Sequence, residues 1–289
     1  MTTNSKAYRD GYFHRDGIRL HFRDYPGPID GPPLLCLPGL TRNARDFDDF
    51  ARHWSPRYRV LTLEFRGRGE SGADPLPERY IPSTYAHDTI ALLDHVGVAD
   101  AVFVGTSLGG LVAMLVAVLD EDRVAGAILN DIGPELSDTG IARIRGVVGT
   151  SSRGFANWGE AAAAVEANQC GLPKQWGLAD WEAMARRLCS ERDDGSIRFD
   201  YDPAIAEPFR SAPTGASVDM WPLFDALAQK PVLVLRGEHS DLLTPEVLQR
   251  MADRSPKVRT ATIAEVGHAP ELTEREAVTA ITEFLTKID

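Results

Sequence analysis

AVFVGTSLGGLVAMLVAVL, residues 101–119, contains a short apolar run, a small-residue turn and a longer apolar run, without a single charge. Ala101–Val104 has the make-up of a strand covered on both faces. Leu108–Leu119 is long enough for a buried helix and too short to cross a bilayer. Between them, Gly105-Thr106-Ser107-Leu108-Gly109 reads G-x-S-x-G. The pentapeptide alone recurs by chance, but its place between a strand and a helix gives it meaning. A serine in so sharp a turn takes a strained backbone conformation that lifts its hydroxyl clear of the sheet. Side chains on either side would collide with neighbouring backbone, which accounts for both glycines. A serine merely capping the helix would explain Ser107 but not the glycines. The helix also points its first N–H groups toward any negative charge that develops beside the serine.

A hydroxyl needs a base to become a nucleophile at neutral pH. The chain has seven histidines. His14 and His21 fall in an N-terminal hairpin, and His53, His87 and His95 in helical segments. His268 lies in Gly267-His268-Ala269-Pro270, a loop directly after the last predicted strand, at the sheet edge where open α/β sheets bind ligands. It is the expected base. An acid must hold its tautomer, and two aspartates compete. Asp241 follows the preceding strand, and the order Ser107, Asp241, His268 makes it the preferred partner. Asp131, at the end of an earlier strand next to that of the serine, is the rival. Negative charge on a substrate oxygen needs preorganised donors. The turn at Pro38-Gly39-Leu40 and the start of the helix assign these to the backbone N–H groups of Leu40 and Leu108.

Outward from this centre, the pattern alternates strand and helix. Gly11–His14 and Ile18–Tyr25 read as a hairpin around Asp16-Gly17. Leu34–Leu37, Val60–Leu63, Val124–Leu129, Pro231–Leu235 and Val258–Ile263 read as further strands. Thr84–Val96, closed by Gly97, and Arg275–Leu285 read as helices. Alternation of this kind implies right-handed crossovers and a mainly parallel sheet. After Pro134 the texture becomes helical, with no convincing buried strand. Residues 1–133 and 216–289 are therefore expected to form the core domain, and 134–215 an inserted helical cap. Phe155, Trp158, Trp176, Trp181 and Phe209 lie in that insertion, either lidding an apolar pocket or, for most of them, packing the cap's own core.

The whole chain has 289 residues, of which 43% are apolar, and a net charge of −11. That size suits one large α/β domain with an insertion. The negative surface argues against nucleic acid and anionic membrane as partners. No secretory signal is visible at the N-terminus. Cys36, Cys170 and Cys189 are odd in number and lack a C-x-x-C pair. The expectation is a cytoplasmic protein with reduced thiols, no metal site and no organic cofactor.

With these residues in place, the chain resembles the α/β-hydrolase superfamily, in its capped, serine-nucleophile subgroup of enol-lactonases, carboxylesterases and C–C bond hydrolases. Glu64-Phe65-Arg66-Gly67-Arg68-Gly69-Glu70-Ser71 is similar to the family's D-x-R-G-x-G-x-S stretch, with Glu64 in place of the usual aspartate. Leu37-Pro38-Gly39-Leu40 departs from the commoner His-Gly pair. Ser107 separates the chain from relatives with an aspartate or cysteine nucleophile. The resemblance implies hydrolysis of a small, largely apolar ester or lactone through an acyl-enzyme. The alternatives are C–C or amide hydrolysis or perhydrolysis on the same residues, and a non-catalytic small-molecule receptor.

Overall fold

The alternation of strand and helix is the architecture of the computed structural model, which describes residues 7–149, 154–168, 176–211 and 219–288. β1 (Arg9–Arg15) and β2 (Ile18–Tyr25) form the hairpin, turning at Asp16-Gly17. β3 (Leu34–Leu37), α1 (Asp48–Trp54), β4 (Val60–Leu63) and α2 (Pro82–Val96) follow. Next come β5 (Ala101–Thr106), α3 (Leu108–Leu119) and β6 (Val124–Asn130). Between β6 and the next core helix lie α4 (Asp138–Val147), α5 (Trp158–Asn168), α6 (Leu178–Leu188), β7 (Cys189–Glu191), β8 (Ile197–Phe199) and α7 (Ala206–Ser211). The chain closes with α8 (Trp221–Leu227), β9 (Val232–Gly237), α9 (Pro245–Arg254), β10 (Val258–Ile263) and α10 (Arg275–Leu285).

Eight strands form one sheet in the order β1-β2-β4-β3-β5-β6-β9-β10. β1, β2 and β4 pair antiparallel, and every later pairing is parallel. The continuous apolar runs have two faces to cover. Leu35 and Leu37 of β3 pack with α2, α3 and α8 on one side, and Leu34 and Cys36 with α1 and α10 on the other. β9 divides the same way, Val232 and Val234 against Leu233 and Leu235. This is the period-two alternation of a strand sandwiched between helix layers.

The segment between β6 and α8 has a core of its own, built from Val165, Trp181, Met184, Leu188 and Ile197. It is not wholly helical, because β7 and β8 pair antiparallel, Cys189 opposite Phe199. Three-residue strands carry too short an alternation to stand out from their neighbours. Arg45, in the loop after β3, ties this segment to the sheet. Its Nε donates to the Arg187 carbonyl at 2.9 Å and its Nη2 to Asp200 at 2.8 Å.

The Glu64–Ser71 stretch forms a buried polar node after β4. Glu64 accepts from the backbone of Glu70 at 2.6 Å and Ala44 at 3.1 Å. The buried ring of His21 places Nδ1 2.9 Å from Glu64 and Nε2 3.0 Å from Asp10. Burial pushes the His21 pKa down, but the carboxylates of Glu64 and Asp10 outweigh it and leave the value raised. A raised folded pKa stabilises the fold fully below the unfolded value of about 6.5, and that contribution fades as pH rises through the folded pKa. Urea unfolding of wild type and His21→Gln should therefore show the widest gap at mildly acid pH. The gap should narrow above neutrality, and one that widened with pH would contradict a charged His21.

Candidate active site

Ser107 closes the step from β5 to α3 with φ 52° and ψ −117°, a conformation that L-residues rarely hold. The close approach around it requires glycine. A Cβ on Gly109 would lie 2.0 Å from the Leu37 carbonyl oxygen, and one on Gly105 2.5 Å from the backbone of Gly109. The Ser107 N–H donates to the Asn130 carbonyl at 3.0 Å, so the turn is fastened to the end of β6.

Ser107 Oγ lies 3.1 Å from Nε2 of His268. Nδ1 of the same ring lies 2.7 Å from Oδ2 of Asp131. Asp131 is completely buried and takes two further bonds, from the Gly237 N–H at 3.0 Å and the Ser240 hydroxyl at 2.6 Å. With Nδ1–H donated to that carboxylate, Nε2 presents its lone pair to the serine, the tautomer that can accept a proton.

The acid beside His268 is therefore Asp131, not the preferred Asp241. β6 pairs directly with β5, Asn130 opposite Thr106, so Asp131 and Ser107 leave adjacent strands at the same height. Asp131 also adopts a left-handed φ of 56°, which aspartate tolerates better than most residues. Asp241 lies further along its loop, half-buried, where Arg143 of α4 holds it with two bonds of 2.6 and 2.8 Å. That guanidinium lowers the Asp241 pKa against the opposing effect of burial.

Gly39 packs against the serine, since a Cβ there would stand 3.9 Å from that of Ser107. Leu40 lines the same cavity. Among the described residues, neither the Leu40 nor the Leu108 N–H has a hydrogen-bond acceptor. The cavity measures about 180 Å³, with Ile144, Val147, Val165 and Leu188 in its wall and Ser107 and His268 at its base. Its aromatic walls are Phe47, Phe199 and Tyr201. Phe155, Trp158, Trp176 and Trp181 instead pack in the core of the inserted segment, Trp176 and Trp181 with ring centres 4.9 Å apart. The side chain of Phe209 lies outside the described residues, as does Cys170. Cys36 and Cys189 are buried free thiols, and burial pushes the Cys189 pKa up to about 12.

Among the described residues, two groups, Asp10-His21-Glu70 and Glu238-His239-Glu265, each bring three side chains of metal-binding type together. Neither lines the Ser107 cavity, and in the first both His21 nitrogens already face carboxylates. Among the described residues, no helix is long and apolar enough to cross a membrane.

A model of the alpha/beta hydrolase family matches residues 34–281. The chain belongs to the alpha/beta hydrolase family. This hydrolase is 31% identical over 276 residues to a 3-hydroxybutyrate-oligomer hydrolase of Cupriavidus necator, with 93% of each chain covered. It is 27% identical to a 2-(acetamidomethylene)succinate hydrolase of Mesorhizobium japonicum, covering 88% of each. Among solved structures, an alpha/beta hydrolase from Novosphingobium aromaticivorans superposes with a TM-score of 0.91 at 48% identity, over 97% of this chain and 99% of that one.

Asn130 and Ser240 also belong to the site, and sequence reasoning passed over both. Asn130 Nδ2 donates to the Pro270 carbonyl at 2.8 Å, joining β6 to the His268 loop. The available signal was the polar pair Asn130-Asp131, directly after an apolar strand beside that of the serine. In the hydrolase, Asp131→Asn should favour the wrong imidazole tautomer and cost up to about 10⁴ in kcat. Asp241→Asn should cost less than about tenfold, since it leaves the His268 hydrogen bonds intact. Steady-state kinetics on the two purified variants decides, and the reverse ranking would return the acid to Asp241.

Proposed function

We propose that this hydrolase is a serine esterase that cleaves carboxylic ester bonds in small, largely apolar substrates. The observation that carries the reading is the unbroken chain from Ser107 Oγ through the His268 ring to Asp131. Ser107 attacks the carbonyl while Nε2 of His268 takes its proton. The imidazolium is held by Asp131, and the oxyanion receives the N–H groups of Leu40 and Leu108. His268 returns the proton to the leaving alcohol. A water, deprotonated by the same ring, then releases the acid from Ser107.

The cavity wall combines apolar side chains with Arg42, Arg143 and Arg187, and its modest volume suits a short acyl chain. The relative that acts on 3-hydroxybutyrate oligomers supports an ester over other bonds, since oligomers of a hydroxy acid are joined by esters. Short oligomers of that kind are the first substrates to try. Lactones and amides belong in the same panel, because faster amide turnover would move the assignment.

An organophosphonate should add once per chain, on the peptide carrying Ser107. Ser107→Ala should lose turnover by a factor on the order of 10⁴ or more while still folding. Labelling of a different serine would remove the nucleophile from this site. EDTA should leave the rate unchanged, because the proposed chemistry uses only side chains and backbone amides. Activity lost to EDTA and restored by zinc would point to a metal at one of the two carboxylate–histidine groups.

A further inference from the structure

We propose that Arg68 is a positioning residue for the oxyanion loop, gripping the Leu40 carbonyl so that the Leu40 N–H stays aimed at the reacting carbonyl. The inference rests on the esterase reading and adds a residue to it. Arg68 is completely buried. Its Nε and Nη2 both donate to the Leu40 carbonyl oxygen, at 3.0 and 2.8 Å, a two-pronged grip on one acceptor. Nη1 is spent on the Arg66 carbonyl at 2.7 Å and the Tyr85 hydroxyl at 2.9 Å.

The comparison with Arg66, two residues earlier and equally buried, sets Arg68 apart. Arg66 is neutralised by Asp88 and Asp74. Among the described residues, Arg68 makes no ion pair; its guanidinium lies 4.8 Å from the Tyr85 ring centre, over the face, and 5.7 Å from that of Tyr80. A buried cation without a counter-ion is costly to the fold. The donors of Arg68 satisfy two carbonyls and a tyrosine hydroxyl, and two of them converge on the Leu40 carbonyl, which is where the charge is spent.

The oxyanion loop gives that grip a function. Leu40 follows Pro38-Gly39, where glycine leaves the backbone loosely restrained. The loop must nevertheless present a fixed N–H, because a donor aids catalysis only when it is already aimed at the developing charge. Fixing the Leu40 carbonyl removes the freedom on one side of its Cα. The N–H on the other side can then move only by rotation about the two backbone bonds at that Cα. The positive charge behind the loop also favours the negative charge that forms in front of it.

The test uses Arg68→Met, Arg68→Lys and Arg68→Ala, compared with wild type on an ester that wild type turns over through Ser107. Arg68→Met should lower kcat by about 10²–10³, the range for losing one oxyanion donor, with KM changed little. Arg68→Lys, which keeps charge and one donor, should fall between the two and serves if the methionine variant folds poorly. Guanidinium ion at tens of millimolar, far below denaturing strength, should restore part of the rate of Arg68→Ala and none to wild type. Amide hydrogen exchange at residues 38–42 should quicken in Arg68→Met. An unchanged kcat, or a loss of kcat that tracks melting temperature and resists guanidinium, would overturn the positioning role. Wild type without any Ser107-dependent turnover would instead overturn the esterase reading, and the role of Arg68 with it.

Discussion

Ser107 holds φ 52° and ψ −117°, and the surrounding backbone is arranged so that it has no easier alternative. Such a conformation costs on the order of 1–3 kcal/mol and persists only where neighbours over-determine it. Here α3 is pressed onto the end of β3, where Gly109 leaves no room for a side chain beside the Leu37 carbonyl. The serine's N–H is held by the Asn130 carbonyl, and Asn130 in turn holds Pro270. One strained residue is thus pinned by the ends of three strands, and the same residue that receives its N–H ties down the histidine loop. The geometry of the site follows from that fastening.

The two aspartates show how a local competition decides what topology leaves open. Both follow strands at the same sheet edge, and chain order favoured Asp241. Arg143, on a helix of the inserted segment, offers Asp241 a two-bond fork, the strongest partner a carboxylate commonly finds. Asp131 has no such rival partner. It is buried where two donors, Gly237 at the end of β9 and Ser240 in the loop after it, hold it in line with His268. A long-range partner in the least regular part of the chain was invisible to a reading that treated strands one at a time.

Legibility elsewhere follows the same rule. Leu34–Leu37 and Val60–Leu63 are legible at their full extent, because a strand covered by helices on both faces is apolar throughout and bounded by turns. The G-x-S-x-G turn and the glycine–histidine loop were readable because steric necessity fixes residue type at those points. β7 and β8 escaped because three residues cannot display a period. The tryptophans of the insertion could be assigned to a lid or to packing, and their shared core, with Trp176 against Trp181, separates the two.

That contact has an evolutionary consequence. The aromatic mass in the core of the inserted segment is held among Phe155, Trp158, Trp176 and Trp181, none of which lines the cavity, while smaller residues such as Ile144 and Val147 form part of the cavity wall. Ile144 and Val147, on α4, take no part in that aromatic cluster. Mutational drift along α4 can therefore reshape the chamber around the serine while the insertion keeps its own foundation. Single substitutions on that helix can thus alter what the chamber admits while leaving the aromatic cluster untouched.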